Sequence, residues 1–119
     1  RKAFLDYIED TLVDTVDLFK AKFKLLYPKI VTDIMAKQHG YMDWFLNTVL
    51  EDTSGFAGTE IIRRTVGDAK VADITGINNI ADRTETERAL IRLGKVLIKE
   101  RAEIREGSDY IDALKEVTS

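Results

Sequence analysis

Two arginines stand side by side at positions 63 and 64, inside the stretch GFAGTEIIRRTVGDAKVADI that covers residues 55–74. Arginine keeps its charge in any pocket, and its planar fork of N–H donors matches carboxylates, phosphates and vicinal hydroxyls in two-point contacts. Neighbours of Arg63 and Arg64 include Phe56, Ile61, Ile62 and Val66, so at least one guanidinium is expected beside the apolar core. Such a group is costly to bury unless an anion meets it. That anion is either an acid of the same chain, with Glu60, Asp68 and Asp73 in reach, or a bound ligand. On chemistry alone the acid bridge is the commoner arrangement. Consecutive helical residues point about 100° apart, so one helix can aim both side chains into a broad cleft without stacking them.

Other candidates for chemistry are weaker. His39 is the one histidine, there is no cysteine, and no H-E-x-x-H occurs, so a metal site is not expected. Asp6, Asp10, Asp14 and Asp17 form an acidic row at helical spacing, which reads as a solvated face rather than a cation site. GFAG at 55–58 is no phosphate loop, because neither a strand precedes it nor a lysine follows it. The aromatic set Phe4, Tyr7, Phe19, Phe23, Trp44, Phe45 and Phe56 falls at core spacing and is expected inside.

The chain as a whole is 119 residues long, with 45% hydrophobic and 33% charged residues, enough for one domain with a core. A net charge of −3, with the 18 basic residues interleaved among 21 acids, argues against a nucleic-acid partner. Without cysteine, thiol catalysis and disulfides are excluded, and the composition suits a reducing, cytoplasmic setting. No run approaches the ~18 apolar residues of a membrane span. Acids interrupt the opening RKAFLDYIED, so it is not a signal peptide. The chain starts at Arg1, already within an amphipathic pattern, and is expected to be part of something longer.

These residues must be positioned by helices. Phe4, Leu5, Ile8, Leu12, Val16, Phe19, Phe23 and Leu26 recur at three- and four-residue steps, predicting a first helix that stops at Tyr27-Pro28. A short helix over Lys29–Lys37 is expected next, closed near His39-Gly40. The arginines belong to a third, long helix from Tyr41 to Gly67, with Phe45, Val49, Asp52, Phe56 and Glu60 along one side and Trp44, Ile61 and Ile62 extending the apolar surface. Gly55 and Gly58 in mid-helix each cost about 1 kcal/mol relative to alanine, which predicts close approach of the first helix or of the helix expected at 82–106. Asp68–Ala81 reads as a connector with one turn around Asp73–Ile77. Asp82–Glu106 is a further helix with Leu90, Leu93, Leu97 and Ile104 on one face, and Gly107 ends it. Ser108 is then expected to cap a last helix, Asp109–Val117. No strand is convincing, so the fold class is all-α with about five helices in a single unit spanning 1–119.

At the arginines the sequence resembles a known family. GFAGTEIIRRTVGDAKVADI, followed by ERALIRLGKVLIKER at 87–101 and preceded by GYMDWFLNTVLEDT at 40–53, is similar to the C-terminal end of S-methyl-5-thioribose kinases. The G-F-A-G-x-E-x-I-R-R-x-x-G core runs from Gly55 to Gly67, and the resemblance covers about residues 40–105. It implies the distal helical part of the C-lobe of a protein-kinase-like fold, of the choline and aminoglycoside kinase type. The implied activity of the parent is transfer of the ATP γ-phosphoryl group to the 1-hydroxyl of 5-methylthioribose, with ATP and Mg2+, in methionine salvage. By the same resemblance Arg63 and Arg64 bind substrate, meeting sugar oxygens and charge on the transferring phosphoryl group. The family's ATP-binding lobe, its H-G-D catalytic loop and its D-P-E metal-binding segment do not occur in these residues. The piece is therefore expected to be inactive by itself, to have the missing N-terminal part as its partner, and to come from a homodimer. The competing reading is a stand-alone helical interaction module whose arginines bridge acids.

Overall fold

A computed structural model describes all 119 residues. Five α-helices and one 3-10 turn follow each other with no strand: α1 Lys2–Ile30, a 3-10 turn at Met35–Lys37, α2 Tyr41–Val66, α3 Ala72–Thr75, α4 Ile80–Lys99 and α5 Gly107–Thr118. The all-α expectation holds, with five helices.

Several boundaries differ from those the sequence suggests, for local reasons. α1 runs two residues past Pro28, and the N–H of Val31 still donates to the Tyr27 carbonyl at 3.1 Å. A proline removes its own ladder donor, and in the last turn that loss is small because the helix is ending. The helix expected over Lys29–Lys37 is thus replaced by the end of α1 and a single 3-10 turn. Asp33 Oδ1 starts that turn by accepting the Met35 N–H at 2.7 Å, and the Tyr27 hydroxyl ties it down by donating to the Ala36 carbonyl at 2.9 Å. Gly40, at φ 84, supplies the left-handed residue from which α2 begins.

α4 begins earlier and ends sooner than Asp82–Glu106. Asn79 caps it, its Oδ1 accepting from the N–H groups of Ala81 at 2.9 Å and Asp82 at 3.2 Å. It stops at Lys99, and the following turn drops Ile104 into the core, where it is buried with Leu97 and Ala113. Glu106, not Ser108, caps α5: it forms a reciprocal capping box with Asp109, whose Oδ2 accepts the Glu106 N–H at 2.8 Å.

The centre of the molecule is the crossing of α2 and α4. α2 buries Leu46, Leu50, Ser54, Gly58 and Thr65, a face about one residue round from the one marked by Phe45, Val49, Phe56 and Glu60. Small residues win because they let the backbones close up. A Cβ built on Gly58 would lie 2.5 Å from the Gly94 carbonyl oxygen and 2.8 Å from Ile98 Cγ1. Gly94 returns the contact, its own Cβ position lying 2.6 Å from Ile62 Cγ1 and 2.8 Å from the Gly58 oxygen. Gly55 is not part of this: its Cβ would meet nothing closer than Arg101 Cδ at 3.4 Å. Beside the crossing, the buried Ser54 hydroxyl donates to the Leu97 carbonyl at 2.7 Å, and Arg101 Nη1 donates to Ile98 O at 2.7 Å. Both carbonyls belong to the last turn of α4, where the ladder has no further N–H to offer.

α1 docks mainly on α5. Gly107 abuts the Val13 backbone, the Gly107 N–H donates to Asp17 Oδ1 at 2.9 Å, and Lys20 Nζ bridges to Glu106 Oε1 at 2.5 Å. Asp17 therefore does more than the solvated acidic row predicts, while Asp6, Asp10 and Asp14 are exposed as expected.

The expected aromatic core is the clearest departure. α1 buries no residue, and Phe4, Tyr7, Trp44 and Phe56 are 60–76% exposed, with Phe19 and Phe45 also on the surface. The total accessible surface is 8610 Å², against about 6,500 Å² for a compact protein of this mass. The radius of gyration is 17.2 Å, where about 13.5 Å is usual for this length. The chain is elongated and leaves an apolar helix face uncovered. No helix is long and apolar enough to cross a membrane.

Candidate functional site

Helical geometry brings the two arginines to one acid. Counting about 100° per residue, position 63 lies some 60° to one side of position 60 and position 64 some 40° to the other. Glu60 therefore stands one turn below a fork whose arms are Arg63 and Arg64. Its carboxylate takes up both: Arg63 Nε donates to Oε2 at 2.9 Å and Nη2 to Oε1 at 2.8 Å, while Arg64 Nε donates to Oε1 at 2.5 Å. Of the acids in reach, Glu60 is the one that pairs with them. The arginines belong to the last turn of α2, where cations also suit the helix dipole.

The expectation that a guanidinium lies beside the core is corrected. Both arginine side chains are 52% exposed and Glu60 is 45% exposed. Phe56 and Val66, which suggested an apolar setting, are themselves on the surface. Thr65, between Arg64 and Val66, is the buried residue of this turn, its hydroxyl held by the Ile61 carbonyl at 2.7 Å. The result is a solvent-facing cluster of two cations and one anion. The Nη1 groups of both arginines and Nη2 of Arg64 make no hydrogen bond within the chain, and neither arginine pairs with an acid other than Glu60.

The hydrogen bond from Arg63, with that from Arg64, lowers the Glu60 pKa from 4.5 to about 2, and the Arg63 pKa is raised in turn by the same bond. Because the folded value is the lower one, the unfolded chain binds more protons between them. The pairing therefore favours the folded state fully above about pH 4.5, and that preference is lost as pH falls through about 2. A carbon-detected NMR titration of the Glu60 carboxyl is expected to give a midpoint near the folded value and to move up towards the ordinary range in Arg63→Ala, where the Arg64 bond remains. A wild-type midpoint in the ordinary carboxylate range contradicts the three-residue cluster.

The larger clefts lie elsewhere, and one of about 530 Å³ is lined by Glu85, Arg88 and Arg92 on α4. One of about 490 Å³ opens between α4 and α5, lined by Asp82, Glu85, Arg92 and Leu114 among others. A nearly wholly apolar groove of about 420 Å³ runs along α1 past Phe19, Phe23, Leu26 and Ile30. No three His, Asp or Glu side chains gather where they could hold a metal ion. The residues present thus do not fit Mg2+.

Compared with known proteins, no family model matches the chain. It is similar to a methylthioribose kinase of Exiguobacterium sibiricum, 38% identical over 113 residues that make up 90% of this chain and 29% of the relative. A methylthioribose kinase of Geobacillus thermodenitrificans is 36% identical over 110 residues, 92% of this chain and 27% of the relative. One from Enterobacter sp. (strain 638) is 42% identical over 93 residues, 76% of this chain and 23% of the relative. The chain spans less than a third of the length of the curated relatives it matches.

Proposed function

We propose that this chain, a relative of the methylthioribose kinases that matches their C-terminal part, is the distal helical portion of the C-lobe of such a kinase. In this reading the parent transfers the γ-phosphoryl group of ATP to the 1-hydroxyl of 5-methylthioribose, in the cytoplasm and in methionine salvage. Arg63 and Arg64 bind the substrate. Phosphoryl transfer is catalysed chiefly by positioning and by cations placed against the developing charge. Two exposed guanidiniums, held side by side with free N–H donors, suit that task.

The observation that carries the reading is the similarity to methylthioribose kinases over about 90% of this chain, which includes the segment that holds Glu60, Arg63 and Arg64. The extra exposed surface supports the second half of the reading. An uncovered aromatic face on α1 and α2 suits a piece that packs against further residues of a longer chain. ATP and Mg2+ then belong to those further residues, and when bound they supply the phosphoryl donor and its charge neutralisation. The parent is a homodimer in this reading.

The alternative is a stand-alone helical interaction module, which is favoured by the pairing of both arginines with Glu60. A coupled ADP-release assay with methylthioribose separates the two. The 119-residue chain is expected to give no turnover above background, and the full-length protein to give saturable turnover. Measurable turnover by the 119 residues alone contradicts the division of labour proposed here.

A further inference from the structure

Glu60 has a place in the reading above that pairing alone does not describe. A surface carboxylate that bridges a single arginine is commonplace and contributes little. Here one carboxylate receives three N–H donors from two adjacent guanidiniums, which restrains two long side chains from a single point. Arg63 is held along its Nε–Nη2 edge, so its plane is fixed and its Nη1 end is turned away from the acid. Arg64 is held by Nε alone, leaving both terminal nitrogens free. The remaining donors of both forks are left without a partner in the chain, on two side chains tied to the same carboxylate.

We propose that Glu60 is a positioning residue that pre-orients Arg63 and Arg64 for the sugar substrate and the phosphoryl group transferred to it. The inference rests on the substrate-binding reading of the two arginines. Holding the guanidiniums in the bound geometry beforehand removes part of the ordering cost of binding.

The sign of the effect distinguishes positioning from simple charge. Removing the Glu60 carboxylate makes the cluster more positive, so charge alone predicts stronger stabilisation of the phosphoryl group in transfer and a higher kcat/KM. Positioning predicts the reverse. Three variants of the full-length protein are compared with wild type for kcat and KM towards methylthioribose and for melting temperature: Glu60→Gln, Glu60→Asp and Arg63→Ala. Glu60→Gln is expected to lower kcat/KM about tenfold with a melting temperature close to wild type. Glu60→Asp, which keeps the charge on a shorter stem, should recover part of that loss. An unchanged or raised kcat/KM in Glu60→Gln, beside a large loss in Arg63→Ala, overturns the positioning role and leaves the arginine assignment standing. If Arg63→Ala is also near wild type, the arginine assignment fails and the positioning role falls with it.

Discussion

Replacing Arg63 or Arg64 with alanine in the full-length protein is expected to lower kcat/KM for methylthioribose by two to three decades while leaving the melting temperature nearly unchanged. A charge-assisted contact made to a phosphoryl group in transit contributes roughly 3–4 kcal/mol to transition-state stabilisation. The stability side follows from the geometry. Both side chains are half exposed and paired with an exposed glutamate, and such solvent-screened surface pairs contribute little to stability. Lysine is expected to rescue only in part, because its point charge cannot reproduce a planar two-donor contact. Steady-state kinetics and thermal melts on the same preparations check both halves. Lower melting temperatures in both variants with activity kept within about twofold of wild type, a difference well under 1 kcal/mol, make the arginines scaffold and not site.

The second large effect concerns folding and sets two glycines three residues apart against each other. Gly58→Leu is expected to destabilise by about 3 kcal/mol, because the new side chain must enter a crossing where the Gly94 carbonyl oxygen already lies 2.5 Å from the Cβ position. For a domain of this size that is a fall of roughly 10–20 °C in melting temperature. Gly55→Ala should do the opposite and stabilise by up to about 1 kcal/mol, since its Cβ meets only Arg101 Cδ at an ordinary 3.4 Å. A Gly58→Leu melting point equal to that of wild type rules out the close crossing of α2 and α4.

What the sequence reveals here divides along physical lines. Helix existence is legible because it rests on local periodicity: the long helix through the arginines ends at Gly67 as expected, and the small turn at 72–75 falls within the predicted connector. Boundaries set by side-chain caps are harder to see. Asn79 and Glu106 each begin a helix, yet the alternating charges of KERAEIRE read equally well as one continuous amphipathic run. The choice of buried face fails where bulk misleads. Large aromatics at 45 and 56 draw attention, whereas the face that packs is Leu46, Leu50, Ser54 and Gly58, and its partner Gly94 lies on a distant segment. Whether an aromatic is covered depends on what packs against it, and nothing in the local pattern of α1 carries that information. For the candidate site, spacing alone identifies Glu60 as an acid in reach of Arg63 and Arg64. That it holds both at once, in solvent, emerges only from the side-chain geometry.

An enzyme that phosphorylates methylthioribose leaves its record in the product. The full-length protein is incubated with ATP, Mg2+ and 13C-labelled 5-methylthioribose, and the product is followed by 31P and 13C NMR. A new phosphate monoester coupled to carbon 1 of the sugar is expected, formed mole for mole with ADP. A folded full-length protein that leaves the sugar unmodified, or places the phosphate on another hydroxyl, contradicts the proposed activity.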